Sequence, residues 1–270
     1  MVNNSTDIVP GSIVYSQLAE KEREKDKFFS ESVLTLQISG RLTLETSSQK
    51  IVTKQGDLLL MRKHQLVKMT KTPSDEEDYK VIFILLSQDI LRRYALENKV
   101  DVGEKYKGKS NVFIPKNEFM QGFFQSLLPY MDKPQAGITN KLGLLKVKEA
   151  VELLLYAMPG LKAFLFDFSG PHKIDLEKFM LSNFHFNVPV EKLAKLTGRS
   201  LAGFKRDFIK TFGVSPRQWL KDKRLTEARY QIEKKSKKPS AIYLDLGFES
   251  LSHFSSSFKQ KFGIAPTELL

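Results

Sequence analysis

The sequence predicts an α+β protein: a β-rich first half, a helical stretch, and an all-α final hundred residues holding two helix-turn-helix units. Three observations carry this. Short β-prone runs separated by turn residues crowd residues 33–86, helical periodicity takes over from residue 115, and one aromatic pattern occurs twice near the end.

Composition narrows the class. The chain has 270 residues, 41% of them hydrophobic, which is enough for one large or two medium cores. No run approaches the roughly 18 uninterrupted apolar residues of a membrane span. The N-terminus, Met1-Val-Asn-Asn-Ser-Thr-Asp, lacks the basic region and apolar core of a secretory signal, so a cytoplasmic protein is expected. With no Cys there are no disulfides, thiolate metal sites or Cys nucleophiles. The charge is lopsided. Residues 172–270 carry 19 Lys and Arg against 10 Asp and Glu, a net +9 of the chain's +12. A basic domain beside a near-neutral one fits nucleic-acid binding through phosphate contacts.

In chain order, residues 1–30 read as an irregular arm, with a short strand at Ile13-Val-Tyr15 and a solvated charge run over 20–27. Strands are then expected over 33–38, 42–46, 51–53, 57–61, 65–69 and 79–86. Ser39-Gly40, Gln55-Gly56-Asp57 and Thr72-Pro73-Ser74-Asp75 mark the turns. Many short strands at regular spacing indicate a sandwich or small barrel. Residues 87–98 predict a helix packing through Ile90, Leu91, Tyr94 and Leu96, and 100–111 a loop. One amphipathic helix carries Phe119, Met120, Phe123, Phe124, Leu127 and Leu128 and stops near Asp132-Lys-Pro134. Another runs from about 139 to 156 through Leu142, Leu145, Val147, Val151, Leu154 and Leu155, and 161–168 is a further turn or short helix. These stripes are packing surfaces, either within the chain or against a second copy. Ser169-Gly170-Pro171-His172 is the clearest linker, giving domains of 1–115, a helical linker over 116–170, and 171–270. A first helix over 175–183 opens the last domain.

The repeat follows. Phe204, Phe208, Phe212-Gly213-Val214-Ser215-Pro216 matches Phe254, Phe258, Phe262-Gly263-Ile264-Ala265-Pro266. Three Phe at i, i+4 and i+8 span about 80° of a helix, a narrow stripe for packing. The Gly stands where a helix ends left-handed, and Pro forbids continuation. Opposite the stripe lie Ala202, Gly203, Arg206 and Lys210 in the first copy, and Ser252, His253, Ser256 and Gln260 in the second. Before each stripe comes a short helix, a Gly turn (Gly198, Gly247) and an N-cap Ser (Ser200, Ser250). This is a helix-turn-helix written twice, with the second turn one residue longer. Trp219, Leu220, Leu225, Ala228 and Ile232 place a single joining helix between them. A short, polar, partly basic helix face suits a DNA major groove.

The tandem motif, the joining helix with Arg224-Leu225-x-x-Ala228, and the terminal Gly-Phe-Glu-Ser…Phe-Gly-x-x-Pro together resemble the DNA-binding domain of AraC/XylS-type transcription regulators. The resemblance covers about 173–270 and implies a homeodomain-like all-α domain. The strand order before it, with Gly56-Asp57 in a turn, looks like the cupin-like sensor domain often found ahead of that module. A metal cupin gathers two or three His and a carboxylate. This region has His64 alone, and the acidic run Asp75-Glu76-Glu77-Asp78 is contiguous in a loop, so no metal and no cofactor are expected. A DNA-repair methyl acceptor of the kind that sometimes carries this module needs a nucleophilic Cys. No enzyme is expected.

The resemblance also implies roles for residues. Its base-reading positions fall on Ala202, Lys205 and Arg206 in the first recognition helix, and on Leu251, Ser252, Ser255 and Ser256 in the second. Arg206 suits a bidentate contact to guanine O6 and N7. Lys210, Lys259 and the helix starts at Ser200 and Ser250 suit phosphates. Two departures bear on the second helix: Ser256 stands where many relatives carry Arg, and Tyr243 stands where a small Ala is usual, as Ala194 is in the first copy. The expected partners are double-stranded DNA, RNA polymerase and a second copy of the chain, with activation the commoner outcome in that family. Control falls to the N-terminal domain, through a small-molecule or protein effector. The alternative is a regulator with no small-molecule ligand, whose N-terminal domain dimerises or docks a regulatory protein.

Overall fold

The structure, a computed structural model, describes residues 5–9, 13–23, 26–103, 105–132 and 140–270. The chain separates into two compact units, the first reaching Ser169 and the second from Gly170 to Leu270. A short early segment including Asp26 and Phe28 groups with the second unit.

Two antiparallel sheets form the first unit. The larger takes β1 (Ser5–Val9), β2 (Ile13–Leu18), β10 (Tyr79–Leu86), β5 (Ser32–Ser39), β8 (Leu58–Met61) and β11 (Asn111–Ile114), in that spatial order. The smaller runs β3 (Glu22–Arg23), β9 (Gln65–Thr72), β6 (Arg41–Glu45) and β7 (Lys50–Thr53), with β4 (Lys27–Phe29) also on β9. The near-continuous apolar run of β10 signals a strand buried on both faces, and its alternation sorts the two sides. Tyr79, Val81 and Phe83 face the core shared with the smaller sheet, among Leu42, Leu44, Val67 and Met69. Ile82, Ile84 and Leu86 face a helical layer. That layer is made by α1 (Gln88–Glu97), α2 (Glu118–Gln125), α3 (Leu128–Asp132), α4 (Asn140–Ala157) and α5 (Lys162–Phe166). Its buried members include Leu91, Met120, Phe123, Val147, Val151 and Phe164. The arrangement is the sandwich form of the β architecture expected for this region, backed by helices.

Polar clasps fix its ends. Asp167, 4% exposed, takes a hydrogen bond from Arg62 Nη2 at 2.5 Å and another from the Tyr106 N–H at 3.3 Å. The Lys63 ammonium donates to the Asp167 carbonyl and to Gln88 Oε1 at 2.8 Å, and burial pushes its pKa down.

Several expectations are corrected. Within the arm read as irregular, residues 5–9 form a strand, and the short strand expected at Ile13-Val-Tyr15 is present but longer. Ile13–Leu18 forms an interior strand between β1 and β10, paired from Tyr79↔Leu18 to Ile84↔Ile13. Its short apolar spacing reads as a fragment until β10 supplies a partner. The charge run over 20–27 contributes to β3 and β4 instead of being only solvated, although residues 24 and 25 lie outside the described ones. The helix expected through Leu128 breaks after Gln125, so α2 and α3 are separate. Residues 133–139, where its stop was placed, lie outside the described residues. Leu96 and Leu145 do not pack: they are 81% and 55% exposed, and Ala95 takes the buried place on α1.

From Leu176 onward the second unit is helical: α6 (Leu176–Asn183), α7 (Val190–Leu196), α8 (Leu201–Phe212), α9 (Pro216–Lys235), α10 (Pro239–Ile242) and α11 (Leu251–Phe262). No helix among the described residues is long and apolar enough to cross a membrane.

Gly40 turns β5 into β6 at φ +70°, and a Cβ there would sit 2.5 Å from the Thr72 carbonyl oxygen. Gly40→Ala therefore combines a left-handed penalty with a backbone clash, and it should cost roughly 2–3 kcal/mol in a denaturant melt of the full chain. A cost below about 0.5 kcal/mol would contradict this turn geometry.

Candidate nucleic-acid interface

Each recognition helix is bounded by the residues that the sequence marks. Ser200 accepts the Gly203 N–H at 3.1 Å to start α8, and Ser250 accepts the His253 N–H at 3.2 Å to start α11. Gly213 and Gly263 close them in the left-handed conformation at φ +73° and +80°. Ahead of each, Gly198 and Gly247 turn the chain at φ +67° and +81°. α9 spans 216–235 and is capped by Ser215, as the joining helix should be. The first helix of the second helix-turn-helix is shorter than its counterpart: α10 has four residues and passes into turns before Gly247.

The Phe stripes decide which face of each helix looks outward. Phe204 and Phe208 are fully buried, and ring centroids step 5.5 Å from Phe204 to Phe208 and 4.4 Å to Phe212. Trp219 of α9 closes this stack, 5.7 Å from Phe208 and 4.7 Å from Phe212. In the second copy, Phe254, Phe258 and Phe262 step by 5.7 and 4.6 Å, with Phe248 against Phe254 at 5.1 Å. Tyr243 is half-buried and packs on this second core, so its ring is absorbed rather than expelled.

On the opposite face of α8, Ala202, Lys205, Arg206 and Lys210 are all exposed. The Arg206 side chain is 82% exposed and lies 3.8 Å from the Asp207 carboxylate, a loose approach. Asp207 is held elsewhere. Arg199 Nε donates to it at 3.1 Å, Lys173 Nζ lies 3.3 Å away, and their hydrogen bonds lower its pKa. This leaves the Arg206 guanidinium available to an incoming acceptor.

α11 differs. Leu251, Ser252, Ser256 and Lys259 are exposed, while Ser255 is half-buried. The Ser256 hydroxyl donates back to the His253 carbonyl at 3.1 Å. The face therefore presents short hydroxyls and an imidazole, without a long bidentate donor.

Sequence reasoning noted Arg224 only as part of a motif. The structure makes it the clasp of the domain. Its guanidinium donates to the carbonyls of Phe184 at 2.7 Å, Phe186 at 2.8 Å and Gly247 at 3.0 Å, and burial pushes its pKa down to about 10. The chain after α6 and the turn of the second helix-turn-helix are thus tied to one side chain. A second feature passed over is the exposed lysine run Lys234, Lys235, Lys237 and Lys238, plain in the sequence as a charge cluster.

Two capped helix-turn-helix units joined by one helix, each with an outward polar face, define a DNA-binding transcription regulator. The comparisons with known proteins agree. The family described as "Helix-turn-helix domain" matches residues 193–270, and that described as "ExsA N-terminal regulatory domain" matches 32–163. The chain is similar to the HTH-type transcriptional regulator ExsA of Pseudomonas aeruginosa, 24% identical over 85% of this chain and 82% of that protein. It is also similar to the virulence regulon transcriptional activator VirF of Yersinia enterocolitica, 23% identical over 88% and 89%. Among solved structures, an apo ToxT variant of Vibrio cholerae aligns over 96% of this chain and 97% of its own, with 12% identity and a TM-score of 0.47. The chain belongs to the AraC-type family of transcription regulators, with an N-terminal regulatory domain ahead of the helix-turn-helix domain.

Arg224→Met removes three charge-assisted donors and leaves buried carbonyls unpaired. It should destabilise the second unit by roughly 3 kcal/mol. Chemical denaturation followed by Trp219 fluorescence reads that unit directly, because Trp219 is the chain's one Trp.

Proposed function

We propose that the protein is a sequence-specific transcription activator that lays α8 and α11 in successive major-groove segments of one DNA face. The observation that supports this best is the freed guanidinium of Arg206 on α8, exposed while Asp207 is occupied by Arg199 and Lys173. In this reading Arg206 grips a guanine, Lys205 and Ala202 meet neighbouring base edges, and Leu251, Ser252, Ser255 and Ser256 line the second groove. Ser200, Lys210, Ser250 and Lys259 hold phosphates, positioning the helices without reading sequence. RNA polymerase is the partner through which an activator acts. The three-part division into 1–115, 116–170 and 171–270 remains the working scheme for control, with a cytoplasmic location.

The N-terminal unit supports a second reading, in which it dimerises or docks a regulatory protein. The space between its sheets is filled by Leu42, Leu44, Val67, Met69, Val81 and Phe83. Its helical layer instead turns apolar side chains outward: Leu145 at 55%, Tyr156 at 71% and Phe119 at 59% exposure, with Phe119 and Tyr156 in edge contact at 5.4 Å. Small-molecule control would instead use a 290 Å³ groove between Leu36, Ile38, Met120 and Phe124, rimmed by Lys116.

Selection of bound sequences from random duplex DNA should enrich an asymmetric motif for the wild type. Arg206→Ala should lose preference at one or two positions, each worth about 1–3 kcal/mol. Retention of the full motif by the variant would remove Arg206 from base reading. For the second reading, Leu145→Glu with Tyr156→Glu should lower the sedimentation mass of the full chain if the helical layer is a dimer face. An unchanged mass, with the fold intact, would discard that face.

A further inference from the structure

A cationic surface lies outside both recognition helices. Residues 229–240 carry Arg229, Lys234, Lys235, Lys237 and Lys238 against a single carboxylate, Glu233. That carboxylate is already taken, since Arg229 Nε donates to Glu233 Oε1 at 2.6 Å. The four lysines are exposed, and among the described residues none forms an ion pair. Their turn is fixed. α9 ends on Ser236 at φ +47°, the Lys237 N–H donates to the Gln231 carbonyl at 3.2 Å, and Lys235 Nζ lies 5.3 Å from the centre of the Tyr230 ring.

The internal repeat says where this turn stands. Placing Gly198 on Gly247 sets Val188 and Pro189 on Lys237 and Lys238, so these lysines enter α10 as Val188 and Pro189 enter α7. In a helix-turn-helix the first helix crosses the sugar–phosphate backbone, and the chain entering it runs beside phosphates. The first helix-turn-helix carries its cations on that helix, as Lys192 and Lys195. The corresponding places in the second are Ala241 and Leu244. The positive charge has moved from the helix to the turn before it.

We propose that Lys234, Lys235, Lys237 and Lys238 form a DNA-backbone clamp, through which the second helix-turn-helix contributes affinity without base discrimination. This rests on the DNA-binding reading above and adds a phosphate site to it. It accounts for a second recognition helix whose Ser256 hydroxyl is turned back on its own backbone. Grip comes from the turn, and sequence from α8.

The test is a salt series on the full-length chain. With Lys234, Lys235, Lys237 and Lys238 all changed to Gln, the selected motif should stay the same. Affinity for the wild-type-selected duplex should fall at least about 10-fold, and the slope of log K against log salt should become shallower by about 2–4, near 0.9 for each phosphate no longer neutralised. Arg206→Ala beside it should change the motif and move the slope by less than about 1. An unchanged slope in the folded quadruple variant overturns the clamp. So does a lower melting temperature alone, which would mark the lysines as charges offsetting the α9 C-terminal dipole. If the quadruple variant fails to fold, Lys237→Gln with Lys238→Gln leaves α9 intact and should give about half the slope change. If the wild type selects no sequence, the regulator reading fails, while the salt slope on any duplex still decides the clamp.

Discussion

Everything the second unit presents to DNA depends on burial of one aromatic stripe per recognition helix. A helix of twelve residues has no intrinsic reason to show a given face outward, and in isolation it would be marginal. Phe204, Phe208 and Phe212 remove that freedom by packing in a row that Trp219 closes against Phe208 and Phe212, and Phe254, Phe258 and Phe262 do so beside Phe248. Once those rings are buried, Lys205, Arg206 and Lys210 have only solvent to face. The reading surface is thus a by-product of core packing, and its chemistry can vary while the core stays constant. The two copies differ accordingly: their Phe stripes match position for position, while their exposed faces share almost nothing.

That separation also explains why the two helix-turn-helix copies are unequal. Arg206 stays 82% exposed and approaches Asp207 only to 3.8 Å, because Arg199 and Lys173 hold that carboxylate more closely. α11 has no equivalent. Its Ser256 hydroxyl is satisfied locally by the His253 carbonyl, and its one cation beyond Lys259, Lys261, donates to the Asp222 carbonyl at 2.9 Å, tying α11 to α9. That long cation of α11 is therefore used to hold the helix against the joining helix, and short side chains are left on its outer face. Arg224 completes this bracing from the other side through three carbonyls.

Much of this was legible in the sequence, for identifiable reasons. Strands 5 to 10 of the first unit were visible because period-2 alternation and Gly or Pro turns are local signals. The recognition helices were visible because caps, stripes and terminators fall within a few residues of each other. What the sequence hid was non-local. Ile13–Leu18 is an interior strand only because β10 lies beside it, and no property of its own six residues says so. Leu96 and Leu145 look like core by periodicity, yet Ala95 and Val147 take the buried positions, since the apolar stripe is wider than the contact it makes. Arg224 reads as one more basic residue of a basic domain until the carbonyls of Phe184, Phe186 and Gly247 converge on it.

The first unit poses the complementary question of how a filled sandwich could control anything. Its larger sheet is apolar on both faces, one against the smaller sheet and one against the helical layer. A change on either face must therefore be transmitted through packed side chains, and close-packed interiors pass strain on instead of absorbing it. The helical layer is the more responsive side. It carries the break between α2 and α3, the outward Leu145 and Tyr156, and the groove rimmed by Lys116. It also ends at Asp167, whose carboxylate is gripped by Arg62 and whose carbonyl accepts from Lys63, both in the turn between β8 and β9, two residues before the first unit gives way to the second.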